Sequence, residues 1–429
     1  MKTSDFLKFW APLAVMQFVI SFEIPAVIAF ISRFGEVKEN LAIFTVVTSL
    51  ALLLEGPIIQ MLSLSTAMAD TWNNYRRIML FLMASLAILV SIHVFCVMRT
   101  PFNFIATRIM RLDDSFIQPA RIAFLLMLPW VPTIGLRRLW QGVLIKHGHT
   151  VKVSMITVIR TSVTLIVLII LLYGSKIKGC YVASIALSAG VTAGAISAYI
   201  FARPVLQQQK LESLHTASNR QPAIKWTNLI LFYLPLALTS FVTEADRPII
   251  AAGISRGLFP IESLAIWSVV ISFISLFRGV CFSTQEASIA LFSTPENNIV
   301  IRRAVFGFGT ITCVVCILFS LIPQARDWFL ISVSGLTDEL AQMSRLPLST
   351  ICIVLISFPV IAWLRAVNIK NKTTRNIGFS VSMNLLAAIA AVVILNCCFR
   401  LNGITIGVIS YIAAMFAEAV YLMIKKKKL

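Results

Sequence analysis

Twelve mostly apolar stretches succeed one another along the chain, at about 9–31, 41–67, 78–98, 122–145, 154–173, 181–202, 227–254, 263–292, 304–322, 346–367, 377–396 and 404–424. Each is long enough to cross the ~30 Å hydrocarbon core of a bilayer, which takes ~20 helical residues. The pattern therefore predicts an all-α membrane protein of about twelve transmembrane helices. Short polar segments join the stretches. The longest of them, 203–226 (RPVLQQQKLESLHTASNRQPAIKW), separates the sixth stretch from the seventh. It predicts a linker between an N-terminal six-helix lobe, 1–202, and a C-terminal six-helix lobe, 227–429.

The two lobes repeat one another. FWAPLAVMQFVISFEIPAVIAFISR at 9–33 matches FYLPLALTSFVTEADRPIIAAGISR at 232–256 with a constant offset of 223. Pro12 falls on Pro235, Pro25 on Pro248, and Ser32 and Arg33 on Ser255 and Arg256. The register runs on into the next stretch, where ENLAIFTVV at 39–47 meets ESLAIWSVV at 262–270 and Gly56 meets Gly279. Chance does not hold a gapless register across two helices and their loop. Six stretches separate the copies, so both halves enter the membrane in the same direction. Parallel repeats of this kind are a transporter architecture.

Composition supports the membrane reading: 58% of residues are hydrophobic, 13% are charged and the mean hydropathy is +0.88. The formal net charge is +19. In a soluble chain that would suggest nucleic acid; here the basic residues sit mostly beside apolar stretches, where they set topology and meet anionic lipid headgroups. With the N-terminus in the cytoplasm, the inner segments hold 19 basic residues and 4 acids, and the outer loops 12 and 8. Both termini are therefore expected in the cytoplasm, with Lys425 to Lys428 directly after the last span. The first apolar stretch runs past twenty residues with no A-x-A-like site after it, against a cleavable signal. Of the eight cysteines, Cys313 and Cys316 form a lone C-x-x-C inside a span, which reads as small apolar filler.

Twelve charged residues lie within the spans: Arg137, Arg138, Arg160, Arg247, Arg278 and Arg365, with Glu23, Glu55, Glu244, Asp246, Glu286 and Glu418. Each costs at least ~2.5 kcal/mol at the bilayer centre unless it pairs or faces a polar interior. Arg137 and Arg138 lie two turns before Lys146. Arg160 has Thr157, Thr161 and Thr164 beside it. Guanidinium groups take carboxylate and phosphate in bidentate fashion. Arg137, Arg138, Arg160, Arg247 and Arg278, with Gln285, are accordingly the candidate substrate-binding residues for an anion. The competing reading is that these arginines only neutralise the buried acids.

Glu23, Glu55, Glu244, Asp246 and Glu286 are the candidate coupling and gating residues. Glu23 and Asp246 occupy the same repeat position, and a desolvated carboxylate there can exchange a proton. Glu55 and Arg278 also share a repeat position and are candidates for an ion pair between the halves; the competing view gives each a partner within its own half. Glu244 and Arg247 have the i, i+3 spacing of a local pair. Glu418 reads as local, and His93 as structural. His147 and His149 read as solvated turn residues, since two histidines do not make a metal site. No P-loop, GxGxxG unit, HExxH or nucleophile elbow occurs, so an enzyme is not expected and energy must come from a gradient. No cofactor is expected beyond a coupling H+ or Na+.

The layout of two six-helix halves resembles the MOP exporter superfamily, which includes multidrug and toxic-compound extrusion (MATE) transporters and lipid-linked sugar flippases. Within it the chain is most similar to the progressive ankylosis protein family. The carrying residues are PLAL at 235–238, RPI at 247–249, SR at 255–256 and ESLAI at 262–266, with AFLLMLPW and GVLIKHG in the first half. The resemblance implies a MATE-like fold, rocker-switch alternating access, and export of organic or phosphate-bearing anions such as citrate, pyrophosphate or nucleotide. The acidic pair Glu244 and Asp246 before Arg247 departs from the more basic or neutral stretch expected there. That leaves room for proton- or sodium-coupled efflux of cations. A flippase for a lipid-linked precursor and a non-transporting scaffold also stay open. The expected partners are a small anionic metabolite and membrane lipids, with no nucleic acid. A monomer suffices, because both halves are in one chain, and the expected location is the plasma or inner membrane.

Overall fold

The computed structural model describes residues 3–174, 176–215, 223–291, 295–371, 373 and 375–425. In chain order the helices are α1 (Thr3–Ile31), α2 (Val37–Ile59), α3 (Met61–Met68), α4 (Trp72–Val97), α5 (Arg99–Phe104), α6 (Asp114–Leu126), α7 (Trp130–Lys146), α8 (Thr150–Gly174), α9 (Gly179–His215) and α10 (Trp226–Glu244). There follow α11 (Asp246–Ile254), α12 (Pro260–Leu291), α13 (Pro295–Leu321), α14 (Pro323–Asp327), α15 (Asp338–Ile351), α16 (Ser357–Lys370), α17 (Arg375–Cys398) and α18 (Gly403–Ile424). Among the described residues no strand forms; one isolated bridge joins Leu258 and Asn402.

Eleven of the resulting spans are long and apolar enough to cross a membrane, and the shorter apolar run Gln17–Ile31 of α1 accompanies them. The protein is an integral multi-pass membrane protein. Its helices expose apolar rather than charged faces. On α8, Val158, Ile166, Ile169, Ile170 and Tyr173 are exposed, while Ile156, Thr161, Thr164 and Leu168 are buried on the other side. The lipid takes the first set and the protein interior takes the second.

Several sequence boundaries move. The fourth span is two helices, α6 and α7, with the break at 127–129. Pro129 stands just before α7, where its missing N–H and fixed φ suit a helix start. At its other end α7 stops because Gly148 turns to φ +79. The amide of Gly148 then donates to Ile145 O and that of His149 to Leu144 O, the paired bonds of a Schellman ending. The sixth span runs on to His215, so 203–215, expected in the linker, is helix instead. Leucine, glutamine, lysine and glutamate sustain it. Gln208 bonds Glu212 one turn on, and Gln209 Nε2 donates to Ala69 O and Asp70 O. At 1.5 Å per residue, α9 is roughly 55 Å long and overshoots the hydrocarbon. The seventh span carries a turn at Ala245, between α10 and α11.

The chain clusters into two compact units that are not the sequence halves 1–202 and 227–429. Unit 1 is Met1–Val46, Met110–Leu112 and Asp246–Leu429; unit 2 is Val47–Ile109 and Asp113–Ala245. The first half therefore gives α1 and the start of α2 to unit 1, and the second half gives α10, but not α11, to unit 2. In unit 1, α1 packs on α12: a Cβ on Gly279 would meet Ser21 Oγ at 2.2 Å and Gln17 Cγ at 3.1 Å. In unit 2, α10 packs on the end of α2: a Cβ on Gly56 would meet Phe241 Cα at 3.1 Å and Ser240 O at 3.2 Å. Gly56 and Gly279 are repeat partners, and each is the point where a backbone comes close. An aromatic side chain fixes each helix. Trp10 Nε1 donates to Ser283 Oγ at 2.8 Å in unit 1, and Tyr233 Oη donates to Pro57 O at 2.6 Å in unit 2. Trp10 and Tyr233 are themselves 223 positions apart.

Candidate anion site

Unit 2 gathers a charged cluster from four helices. Glu55 lies buried near the end of α2, just before Pro57. Trp130 and Arg137, both buried, and Arg138, half-buried, form a stripe along α7 that ends on buried Gln141. The spacings of seven and four residues from Trp130 to Arg137 to Gln141 keep one face of the helix, and Arg138 stands about 100° round from Arg137. Arg160 comes from α8. From α9 come two glycines that let the other helices close. A Cβ on Gly190 would sit 2.0 Å from Thr164 Oγ1 and 3.0 Å from Arg160 O. One on Gly194 would sit 3.2 Å from Arg137 Cδ and 3.3 Å from Arg160 Cβ. Arg137 and Arg160 therefore approach one another across Gly194.

Trp130 ties the acid to the bases. Its Nε1 donates to Glu55 Oε2 at 2.8 Å, and the Arg160 guanidinium lies over its ring at 5.9 Å. The charge of Glu55 is felt by Arg138 and Arg137, and also by Glu244 of α10. Arg138 in turn feels both Glu55 and the like charge of Arg160. Among the described residues Arg138 makes no hydrogen bond, and its Nε is buried. Gln141 Oε1 is buried without a partner as well. The arrangement offers guanidinium donors in a water-poor setting, where an oxyanion can meet them.

Unit 1 holds the second cluster. Arg365 of α16 donates to Glu418 Oε1 of α18 through Nε, at 2.9 Å, and through Nη2. Ser380 and Asn384 of α17 complete the carboxylate's shell at 3.5 and 3.2 Å. Arg365 also lies over the Phe282 ring at 5.6 Å. Glu418, read from the sequence as local, is instead the partner of an intramembrane arginine on another helix, a role that sequence reasoning did not find. The signal was available: an unpaired arginine in one span requires an acid in another.

Of the six candidate binding residues, three come together in unit 2: Arg137, Arg138 and Arg160. Arg247, Arg278 and Gln285 belong to unit 1. There Arg278 Nη1 donates to Tyr411 Oη at 3.4 Å, and Gln285 Oε1 is buried with no hydrogen-bond partner among the described residues. Of the coupling candidates, Glu55 and Glu244 belong to unit 2, and buried Glu23 and Asp246 to unit 1. Glu55 and Arg278, candidates for an ion pair between the halves, each have a partner inside their own unit, as the competing view had it: Trp130 and Tyr411. The side chain of Glu286 lies outside the described residues. Sequence reasoning missed Trp130, seven residues before Arg137 on the same face, and the glycines of α9.

The remaining residues fall into place as structure. His93 is buried, with Nε2 3.1 Å from Phe124 O and its ring 4.2 Å from the Phe124 ring. His147 is exposed and its Nε2 lies 3.2 Å from Gln209 Nε2. Cys313 and Cys316 are buried free thiols.

The sequence profile described as Progressive ankylosis protein (ANKH) matches residues 2–260, more than half of the chain. The chain belongs to the progressive ankylosis protein family. A search of curated sequences finds no match. Solved structures share the fold of this family member over nearly its whole length. The lipid II flippase MurJ in an inward closed conformation superposes with TM-score 0.71 at 12% identity, over 97% of this chain and 87% of that one. The eukaryotic MATE transporter AtDTX14 gives 0.63 at 15% identity, over 99% and 96%. A MOP superfamily transporter from Pyrococcus furiosus, described by the reverse polarity of its binding pocket, gives 0.59 at 14%, over 98% and 96%. At these identities the likeness is one of fold. The family member thus has the MATE-like transporter fold of the MOP superfamily, and its fold neighbours are transporters rather than enzymes.

Proposed function

We propose that the protein is a secondary-active exporter of small organic or phosphate-bearing anions, working by rocker-switch alternating access. One observation carries the substrate class: Arg137, Arg138 and Arg160 converge in unit 2, and Arg138 there has no hydrogen-bond partner among the described residues. A guanidinium whose buried Nε has no acceptor among the described residues is costly, and an oxyanion ligand satisfies it. Arg247, Arg278 and Gln285 are further anion contacts in this proposal. Glu23 and Asp246, buried at the same repeat position, are the coupling carboxylates for H+ or Na+. Both termini lie in the cytoplasm, by the excess of inner basic residues. The protein acts as a monomer in the plasma or inner membrane.

The test is efflux. Cells with and without the protein, and proteoliposomes loaded with labelled citrate, pyrophosphate or nucleotide, are compared. Export of at least one anion is expected, and Arg138→Ala should reduce it on the order of tenfold or more. Dye efflux with no change in any anion would replace this proposal by MATE-like drug or cation efflux. Movement of a lipid-linked precursor, without release of a soluble anion, would replace it by a flippase.

A further inference from the structure

Glu418 and Glu55 both stand beside intramembrane arginines, and they are held very differently. Glu418 accepts from Arg365, Ser380 and Asn384. Among the described residues Glu55 accepts one hydrogen bond, and its donor is the neutral indole of Trp130. No ion pair closes on Glu55 among the described residues, although Arg137 and Arg138 feel its charge. Arg138 makes no hydrogen bond among those residues. The carboxylate supplies charge to the cluster without filling the donors of Arg138.

Charge counting points the same way. Arg137, Arg138 and Arg160 bring three positive charges, and Glu55 with Glu244 brings two negative ones. Glu55 is the acid whose charge Arg137 and Arg138 both feel, so it offsets part of their mutual repulsion when nothing is bound. A carboxylate or phosphate arriving at Arg138 would do the same job with better geometry, because guanidinium takes it through two parallel hydrogen bonds. Glu55 and the newcomer would then repel one another.

We infer that Glu55 is a tethered counter-anion of this site: it holds the arginines of unit 2 together in the empty protein and gives way when an oxyanion binds, releasing the Trp130 indole. This rests on the anion-transport reading. It adds to it a direct competition between a side chain and the substrate. Competition keeps the site from trapping its cargo, since the returning carboxylate helps to expel the anion. Trp130 is the reporter, because its N–H loses an acceptor when Glu55 leaves.

The full chain, purified in nanodiscs, is titrated with citrate and with pyrophosphate, which separate carboxylate from phosphate as the group recognised. Binding is followed by tryptophan emission and by a radioligand measurement. In the wild type, anion binding should change the emission, and Trp130→Phe should remove that change. Glu55→Gln keeps an acceptor for Trp130 but no charge. It should bind the anion on the order of tenfold more tightly, while its efflux slows because release is slower. Equal or weaker binding by folded Glu55→Gln would overturn the counter-anion role and leave the anion site standing. Should Glu55→Gln fail to fold, Glu55→Asp takes its place. The shorter acid reaches the cluster less well, so tighter binding is expected, and unchanged binding overturns the inference. No binding of either anion by the wild type or any variant would overturn the anion reading itself, and this inference with it.

Discussion

Set side by side, the clusters of unit 1 and unit 2 occupy matching places in the repeat. A shift of 224 positions carries Lys146 at the end of α7 onto Lys370 at the end of α16, Gly174 onto Cys398, and Gly179 at the start of α9 onto Gly403 at the start of α18. The same shift carries Gly194 onto Glu418, Arg160 onto Asn384 and Gln141 onto Arg365. At these places unit 1 has Arg365 and the acid that neutralises it, with two neutral side chains completing the shell. Unit 2 has a glycine where that acid stands, and an arginine where the asparagine stands. One copy is a closed ion pair that joins three helices. The other groups three arginines with an acid from α2 that accepts from Trp130 rather than from an arginine. Duplication supplied two similar scaffolds, and in the function proposed above only the second takes an external anion.

The largest expected effect tests the closed copy. Glu418→Gln leaves Arg365 partly buried without its anion, and removal of one partner of a buried pair costs about 3–5 kcal/mol. The half-buried position of Arg365 puts the loss at the lower end. Thermal and denaturant unfolding in micelles should show it. Glu55→Gln in the same assay should also lose stability, since Arg137 and Arg138 lose a counter-charge, but less than Glu418→Gln, because the amide oxygen still accepts from Trp130 and no ion pair is broken. Equal losses in the two variants would erase the distinction between closed and open clusters.

Next comes the packing that opens unit 2. Gly190→Ala puts a methyl 2.0 Å from Thr164 Oγ1 and 3.0 Å from the Arg160 carbonyl. Overpacking of this kind costs about 1–3 kcal/mol and moves α8, which carries Arg160. Both stability and anion export should fall. Thr164→Ala removes the nearer clash, so the double variant should recover part of the stability. No recovery would mean that the backbone contact with Arg160, rather than the hydroxyl, sets the α8–α9 distance.

How much of this was written in the sequence depends on what a residue's neighbours in the chain can say. The spans were legible because hydrocarbon thickness acts on each segment separately. The repeat was legible because Gly56 and Gly279, and Pro25 and Pro248, hold one register. The exchange of α1 and α10 between the units was not, because a helix's own sequence does not name the helix it packs on. The arginines were found from their cost in lipid alone, and that cost carries no direction. It grouped Arg247 and Arg278 with Arg138, although they belong to a different unit. Glu418 was underrated for the same reason: its partner lies 53 positions away, on another helix.

A smaller effect comes from the aromatic anchors of the exchanged helices. Tyr233→Phe removes the bond to Pro57 O, and Trp10→Phe the bond to Ser283 Oγ. Each should cost about 1 kcal/mol. If the two units use their exchanged first helices alike, the two losses should match within a few tenths of a kcal/mol. A much larger loss for Tyr233→Phe would show that the proline-interrupted end of α2 depends on α10 more than α12 depends on α1.

The smallest effect concerns an ion pair outside the membrane. Asp327, after α13, accepts from Arg326 Nε at 3.0 Å and from Arg345 Nη2 at 2.8 Å. The bond from Arg326 is the main reason its carboxyl sits below the ordinary carboxylate range, and the charges of both arginines add to it. A depressed folded value means that the contribution is full above the unfolded carboxylate's range and is lost as the pH falls through the folded one. The pair is open to water and screened, so the loss should be slight and should shrink further in high salt. Unfolding midpoints measured from neutral pH down to acid should therefore decline slightly more for the wild type than for Arg345→Ala. Glu418→Gln should lower the midpoint across the whole range by far more than this difference. If the Asp327 pair proved as influential as Arg365 with Glu418, burial would not be what separates a structural ion pair from a decorative one in this protein.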